Sequence, residues 1–118
     1  MTELKKRIMS FAYAFKGIGS ILKKERNAWI HCLAVAVVTF AGFYFGITPT
    51  EWCVVVICFG LVLAAEGFNT AIERLVDFVS PGRHPQAGDV KDVAAGAVLI
   101  CAIAAAVVGC IIFIPYLF

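Results

Sequence analysis

The sequence predicts an all-α membrane protein: an amphipathic helix lying on the membrane surface, followed by three helices that cross the bilayer. Three observations carry this. Apolar residues make up 62% of the 118-residue chain and its mean hydropathy is +0.93, where a soluble domain is about 45–50% apolar. These residues fall into three long blocks separated by short polar segments. All ten Lys and Arg residues lie at one end of those blocks. The length fits a single domain, 1–118. The first long apolar run begins near His31, too late for a secretory signal, so none is expected.

The N-terminal segment, about 4–24, places Leu4, Ile8, Phe11, Phe15, Ile18 and Leu22 at spacings of 4, 3, 4, 3 and 4, which is one helix face. Lys5, Lys6, Lys16, Lys23 and Lys24 lie away from it. A basic amphipathic helix beside a membrane span reads as a helix on the inner leaflet. Gly17-Ile18-Gly19 lies in a helix-patterned stretch and is read as permitting close helix approach. No GxxxxGK[ST] loop is present.

The first span is placed at about 27–47 and ends in the turn Ile47-Thr48-Pro49-Thr50, where Pro49 suits the first turn of the next helix. The second, about 51–78, stops at Ser80-Pro81-Gly82. Gly82 to Val90 reads as a loop. The third, about 92–116, falls in a block of 26 residues, Val93 to Phe118, without a charge, with Pro115 expected to fray its end. The five cysteines lie within apolar blocks and are read as small hydrophobes.

Lys5, Lys6, Arg7, Lys16, Lys23, Lys24 and Arg26 precede the first span, and Arg74, Arg83 and Lys91 lie between the second and third. The turn between the first two has no Lys or Arg. Lys/Arg excess marks the cytoplasmic side, which puts the N-terminus inside and the C-terminus outside a bacterial inner membrane. Phe43, Tyr44, Phe45, Trp52, Phe113, Tyr116 and Phe118 cluster at the outer ends, as interfacial anchors do.

The second span carries a polar stripe. On an ideal helix, measured around the axis from Glu66, Asn69 falls about 60° to one side and Thr70 about 40° to the other. Glu73 and Asp77 lie closer still, each about 20° from Glu66 on opposite sides. Ionisable groups within a membrane segment are costly and mark function by default; the structural alternative is an ion pair from Glu66 to Lys91 or Arg26. Glu66 lies about 22 Å from the outer end of its helix, just inside the cytoplasmic edge of a hydrocarbon core about 30 Å thick. Such a face also calls for assembly, because a lone copy would leave carboxylates near lipid; small residues from Ala94 to Gly109 permit close packing.

Glu25, Arg26 and Asn27 precede the first span, and His84, Lys91 and Asp92 precede the third. Water-accessible carboxylates suit Mg²⁺, and Lys and Arg suit phosphate. Phosphoryl transfer to a lipid hydroxyl is one reading of this inner face. A non-catalytic assembly subunit, or a small transporter in which Glu66 carries protons, is another. No nucleic-acid partner is expected.

The string Glu66-Gly67-Phe68-Asn69-Thr70-Ala71-Ile72-Glu73-Arg74-Leu75-Val76-Asp77 resembles the signature of the small bacterial membrane lipid kinases, the diacylglycerol and undecaprenol kinases. Lys91-Asp92 with Ala94-Ala95-Gly96-Ala97-Val98-Leu99 resembles that family's next motif. Phe15-Lys16-Gly17-Ile18 and Glu25-Arg26-Asn27 with His31 resemble its N-terminal half. The resemblance implies a homotrimer with composite sites, using MgATP to phosphorylate a membrane lipid alcohol. It implies that Glu66 is the general base, supported by Asn69, and that Glu25 and Glu73 are metal ligands. It places Gly82, Arg83, His84, Lys91, Asp92, Glu25, Glu73, Tyr13 and one of Lys6 or Arg7 at the ATP. Glu66, Asn27, His31 and Trp52 form the implied lipid-facing set. Gly67-Phe68 replaces the bulky aliphatic pair common after the base, and Ala14 stands where the Gram-negative diacylglycerol kinases have Ser. Glu-Arg-Asn with His31, Asn-Thr-Ala-Ile-Glu and His84-Pro85 are more similar to the undecaprenol kinase branch, which favours undecaprenol over diacylglycerol as acceptor.

Overall fold

A computed structural model describes residues 2–24 and 26–118, and the side chains outside 24–28. Glu25 and the Asn27 side chain therefore lie outside the described residues. Four helices follow in chain order: α1 (Glu3–Lys24), α2 (Arg26–Phe45), α3 (Pro49–Val79) and α4 (Pro85–Leu117). No strand occurs among the described residues.

Local chemistry sets each boundary. α2 ends where Gly46 takes a φ of +64°, a left-handed conformation that a Cβ disfavours. The Ile47 amide then donates to the Gly42 carbonyl at 3.1 Å, closing a Schellman-type end. Thr48 caps α3 in a reciprocal box: the Glu51 amide donates to Thr48 Oγ1 at 3.2 Å, and the Thr48 amide donates to Glu51 Oε1 at 2.9 Å. Pro49 inside the first turn reinforces this start.

The loop expected from Gly82 to Val90 is shorter in the structure. α4 begins at Pro85, with His84 as its cap and His84 Nδ1 accepting from the Gln86 amide at 3.2 Å. Pro at the first helical position has the φ a helix needs and lacks only an amide hydrogen that would have had no partner. Pro115 likewise does not fray α4, which runs on to Leu117. The next residue explains why: the Tyr116 hydroxyl donates to Glu51 Oε1, holding the last turn against the start of α3.

α3 and α4 form a long antiparallel hairpin pinned at both ends. At one end Tyr116 meets Glu51, and at the other Lys91 pairs with Asp77. The two strips between these contacts are each about 38 Å long at about 1.5 Å per residue, so the helices run in step. α2 joins at the Thr48 end, where Ile47, Val55 and Ile112 are buried beneath Phe45, Trp52, Phe59 and Phe113. Phe45 packs its ring against both Phe113 and Tyr116.

α3 and α4 are long and apolar enough to cross a membrane. Only 6% of the most apolar stretch of α4 is buried within the protomer, so α4 is not the core helix of a soluble fold and needs lipid or another chain around it. α2 carries a 17-residue apolar stretch, Trp29–Phe45, slightly short of a full span. The apolar face of α1 is also bare: Leu4, Ile8, Phe11, Phe15, Ile18 and Leu22 are all exposed.

Gly17 and Gly19 make no close approach within the protomer, contrary to the expectation from sequence. The close approaches occur at Gly67 and Gly42. A Cβ at Gly67 would lie 2.8 Å from Ile21 Cδ1, and one at Gly42 would lie 2.5 Å from the Trp52 ring. The Ile21 tip can swing aside, whereas the indole is rigid and already packed on Phe43 at 4.9 Å. Gly42→Val is expected to cost about 1–3 kcal/mol by overpacking, read as a lowered thermal midpoint in detergent. Adding Trp52→Leu should recover part of that loss.

Candidate active site

The polar stripe of α3 has a buried upper part and an open lower part. Glu66 is 1% exposed, Thr70 2% and Asn69 7%, while Glu73 is half-buried and Asp77 exposed. A carboxyl group among apolar helices needs a partner. Among the described residues its nearest polar neighbour is His31 of α2, whose Nε2 lies 3.3 Å from Glu66 Oε2, a close approach without hydrogen-bond alignment. The structural alternative of a Lys91–Glu66 pair is not what forms, because Lys91 is bound to Asp77. Thr70 Oγ1 donates to the Glu66 carbonyl at 3.0 Å, satisfying its own hydroxyl within the helix.

One turn further, Asn69 Nδ2 donates to Glu73 Oε1 at 3.3 Å. This leaves three buried acceptors without a hydrogen-bond donor among the described residues: both Glu66 carboxyl oxygens and Asn69 Oδ1. An unmade buried hydrogen bond costs about 1–3 kcal/mol. Three at one place make a site that wants a hydroxyl proton, an ammonium or a cation. Of these groups, the half-buried Glu73 carboxylate, held by Asn69 and open toward the surface, is the oxygen donor that fits Mg²⁺. No three His, Cys, Asp or Glu side chains cluster at metal spacing among the described residues.

Glu73 is one turn from Asp77, and Asp77 opens onto a cleft of about 480 Å³ between the end of α3 and the start of α4. Gly82, Arg83, His84 and Lys91 all line it, so four of the expected nucleotide residues share one recess. Arg83 and Lys91 give it positive charge, and the first turn of a 33-residue helix borders it, which favours anions further. Lys6 and Tyr13, exposed on α1, and Asp92, exposed on α4, do not line this cleft. Asp92 is about 100° around the helix from Lys91.

Trp52 is not brought to Glu66. It packs on Gly42 and Phe43, about 21 Å away along α3 at about 1.5 Å per residue. One contact had no signal in the sequence. Arg74 Nη1 donates to Ser20 Oγ at 3.0 Å, tying α1 to α3 beside the Ile21–Gly67 contact. No periodicity pairs residues 54 positions apart.

Residues 12–113 match the model of a family described as prokaryotic diacylglycerol kinase. The chain belongs to that family. As a member of the prokaryotic diacylglycerol kinases it is a membrane lipid kinase with ATP as phosphate donor, and the transporter and assembly-subunit readings fall away. The kinase is 36% identical over 115 residues to an undecaprenol kinase of Bacillus subtilis (strain 168), covering 98% of this chain and 94% of that one. It is 36% identical over 109 residues to a diacylglycerol kinase of Synechocystis sp., covering 92% and 62%. It is 30% identical over 99 residues to a diacylglycerol kinase of Haemophilus influenzae, covering 84% of each.

The Asp77–Lys91 pair is largely solvated, at 63% and 38% side-chain exposure, and surface pairs of this kind contribute about 0–1 kcal/mol. A double-mutant cycle with Asp77→Asn and Lys91→Met, read by thermal unfolding, should give a coupling below about 1 kcal/mol. The pair would then pin the hairpin's register without being a main source of its stability.

Proposed function

We propose that this kinase transfers the γ-phosphoryl group of ATP to the hydroxyl of undecaprenol, at a site reached from the cytoplasmic face. The observation that supports it most is the buried Glu66 carboxyl, with both oxygens lacking hydrogen-bond donors, one helical stripe away from a basic cleft. Similarity across nearly the full length of an undecaprenol kinase supports the acceptor.

In this reading the nucleotide phosphates sit against Arg83, Lys91 and the first turn of α4. Glu73 is positioned by Asn69, and together with Glu25 it would hold Mg²⁺, which neutralises charge on the phosphates when bound. Glu66 accepts the proton of the lipid hydroxyl. That oxygen bonds to the γ-phosphorus as the bond from phosphorus to the bridging β–γ oxygen breaks, and ADP leaves. Glu66 and Glu73 are about 10 Å apart along the helix, which separates the lipid-depth group from the water-depth one. His31 borders the acceptor on the α2 side, and Asn27 belongs to the same lipid-facing set by the family resemblance alone. Lys6, Tyr13 and Asp92 lie outside the cleft of one protomer and fit a composite site completed by a second copy. The bare faces of α1 and α4 are the surfaces that a homotrimer and lipid would cover.

The topology follows from charge. α1 lies on the cytoplasmic leaflet, α2, α3 and α4 cross, and the Thr48 turn and C-terminus lie outside, because no basic residue occupies those outer segments.

Purified protein in lipid with Mg²⁺ and γ-labelled ATP, offered undecaprenol and diacylglycerol separately, should label undecaprenol with the higher kcat/KM. A higher kcat/KM on diacylglycerol would reassign the acceptor, in line with the Synechocystis and Haemophilus relatives.

A further inference from the structure

An apolar groove of about 350 Å³ runs between α2, α3 and α4, and His31 forms part of its wall. From the His31 level it passes Val38, Phe59 and Val62 and ends at Phe113. Among its described lining residues, His31 alone carries a strongly polar side chain, and that side chain touches Glu66. The groove is thus polar at the reacting end and apolar along the remainder, over about 16 Å from Ala102 to Phe113 along α4.

The α4 wall is what keeps it open. Ala102, Ala105, Ala106 and Gly109 all line it, on a single helix face. A Cβ on Gly109 would meet no atom within 4 Å, so the space beside it is empty within the protomer. Its size separates two kinds of occupant. A transmembrane helix is about 10–12 Å across and cannot enter 350 Å³, which lies in the range of about 300–1,000 Å³ typical of small-molecule pockets.

We infer that this groove holds the first part of the acceptor's hydrocarbon chain, with its hydroxyl at Glu66 and its tail directed toward Phe113. The inference rests on the lipid-kinase reading of Glu66 and extends it: the α4 face of small residues sets which chains are accepted. A long-chain alcohol fits, with one polar end group and no second polar group along the chain.

Ala105→Leu narrows the groove at mid-length without touching Glu66, Asn69 or the nucleotide cleft. Overpacking of about 1–3 kcal/mol corresponds to a loss of about fivefold to 150-fold. That loss should appear in kcat/KM for a long prenyl alcohol, while KM for ATP and the rate on a five-carbon prenyl alcohol stay at wild-type values. In parallel, a long alcohol bearing a tail diazirine should label α4 between Ala102 and Phe113 in the wild-type protein, and should label it less in Ala105→Leu. Equal losses on long and short alcohols would overturn the groove assignment. So would labelling confined to α1, or an Ala105→Leu variant whose chief change is its oligomeric state on cross-linking. Failure of the wild-type protein to phosphorylate any lipid alcohol would instead overturn the kinase reading of Glu66, so the two failures are distinguishable.

Discussion

Removing a carboxyl group from water is costly unless something answers its oxygens, and in this chain that constraint organises the packing around Glu66. Glu66 is placed on an otherwise apolar stretch of α3, and His31 of α2 is brought to 3.3 Å from it. That contact holds the His31 end of α2 against α3, and the two helices meet again at the far end around Gly42 and Trp52. The groove exists because α2 touches α3 at both ends while small side chains on α4 leave the middle unfilled. The oxygens of Glu66 and Asn69 lack a hydrogen-bond donor among the described residues, and in the proposed reaction a hydroxyl proton and a cation would meet that need.

The α3–α4 hairpin does the rest of the positioning. Its two end contacts, Glu51 with Tyr116 and Asp77 with Lys91, fix the register along which the polar stripe descends. The stripe therefore runs from a buried carboxyl, through a half-buried one, to an open cleft rimmed by Arg83 and Lys91. A buried group and an open cleft are joined by a single helix face. Positioning of this kind suits a reaction in which the protein's main tasks are orientation and charge neutralisation.

Much of this was legible in the residues. The 3-4 spacing from Glu66 to Asp77 placed the stripe on one face, and long uncharged runs located α3 and α4. The capping box Thr48-x-x-Glu51 was also present as a pattern, and it sharpens the Ile47–Thr50 turn into a defined helix start. The extent of α4 was less legible because Gly88 and Asp89 look like loop residues, whereas Pro85 behind a capping His84 already satisfies a helix start. The partners of the charged groups were not legible. Lys91 was offered as a partner for Glu66, and the antiparallel register gives it to Asp77 instead. Nor does any sequence pattern join His31 to Glu66 or Ser20 to Arg74, since those contacts depend on how separate helices pack. Glu25, expected as a metal ligand, lies outside the described residues, and its role remains part of the proposal.

The central claim is that the buried Glu66 carboxyl is the group that takes the acceptor's proton. Replacing it with the isosteric amide, Glu66→Gln, and measuring transfer of labelled phosphate from MgATP to a lipid alcohol tests this most directly, with thermal unfolding and cross-linking as checks on fold and assembly. The account predicts a loss of about 10²–10⁴-fold in kcat with the unfolding midpoint and assembly retained. A folded Glu66→Gln protein with wild-type kcat would contradict it.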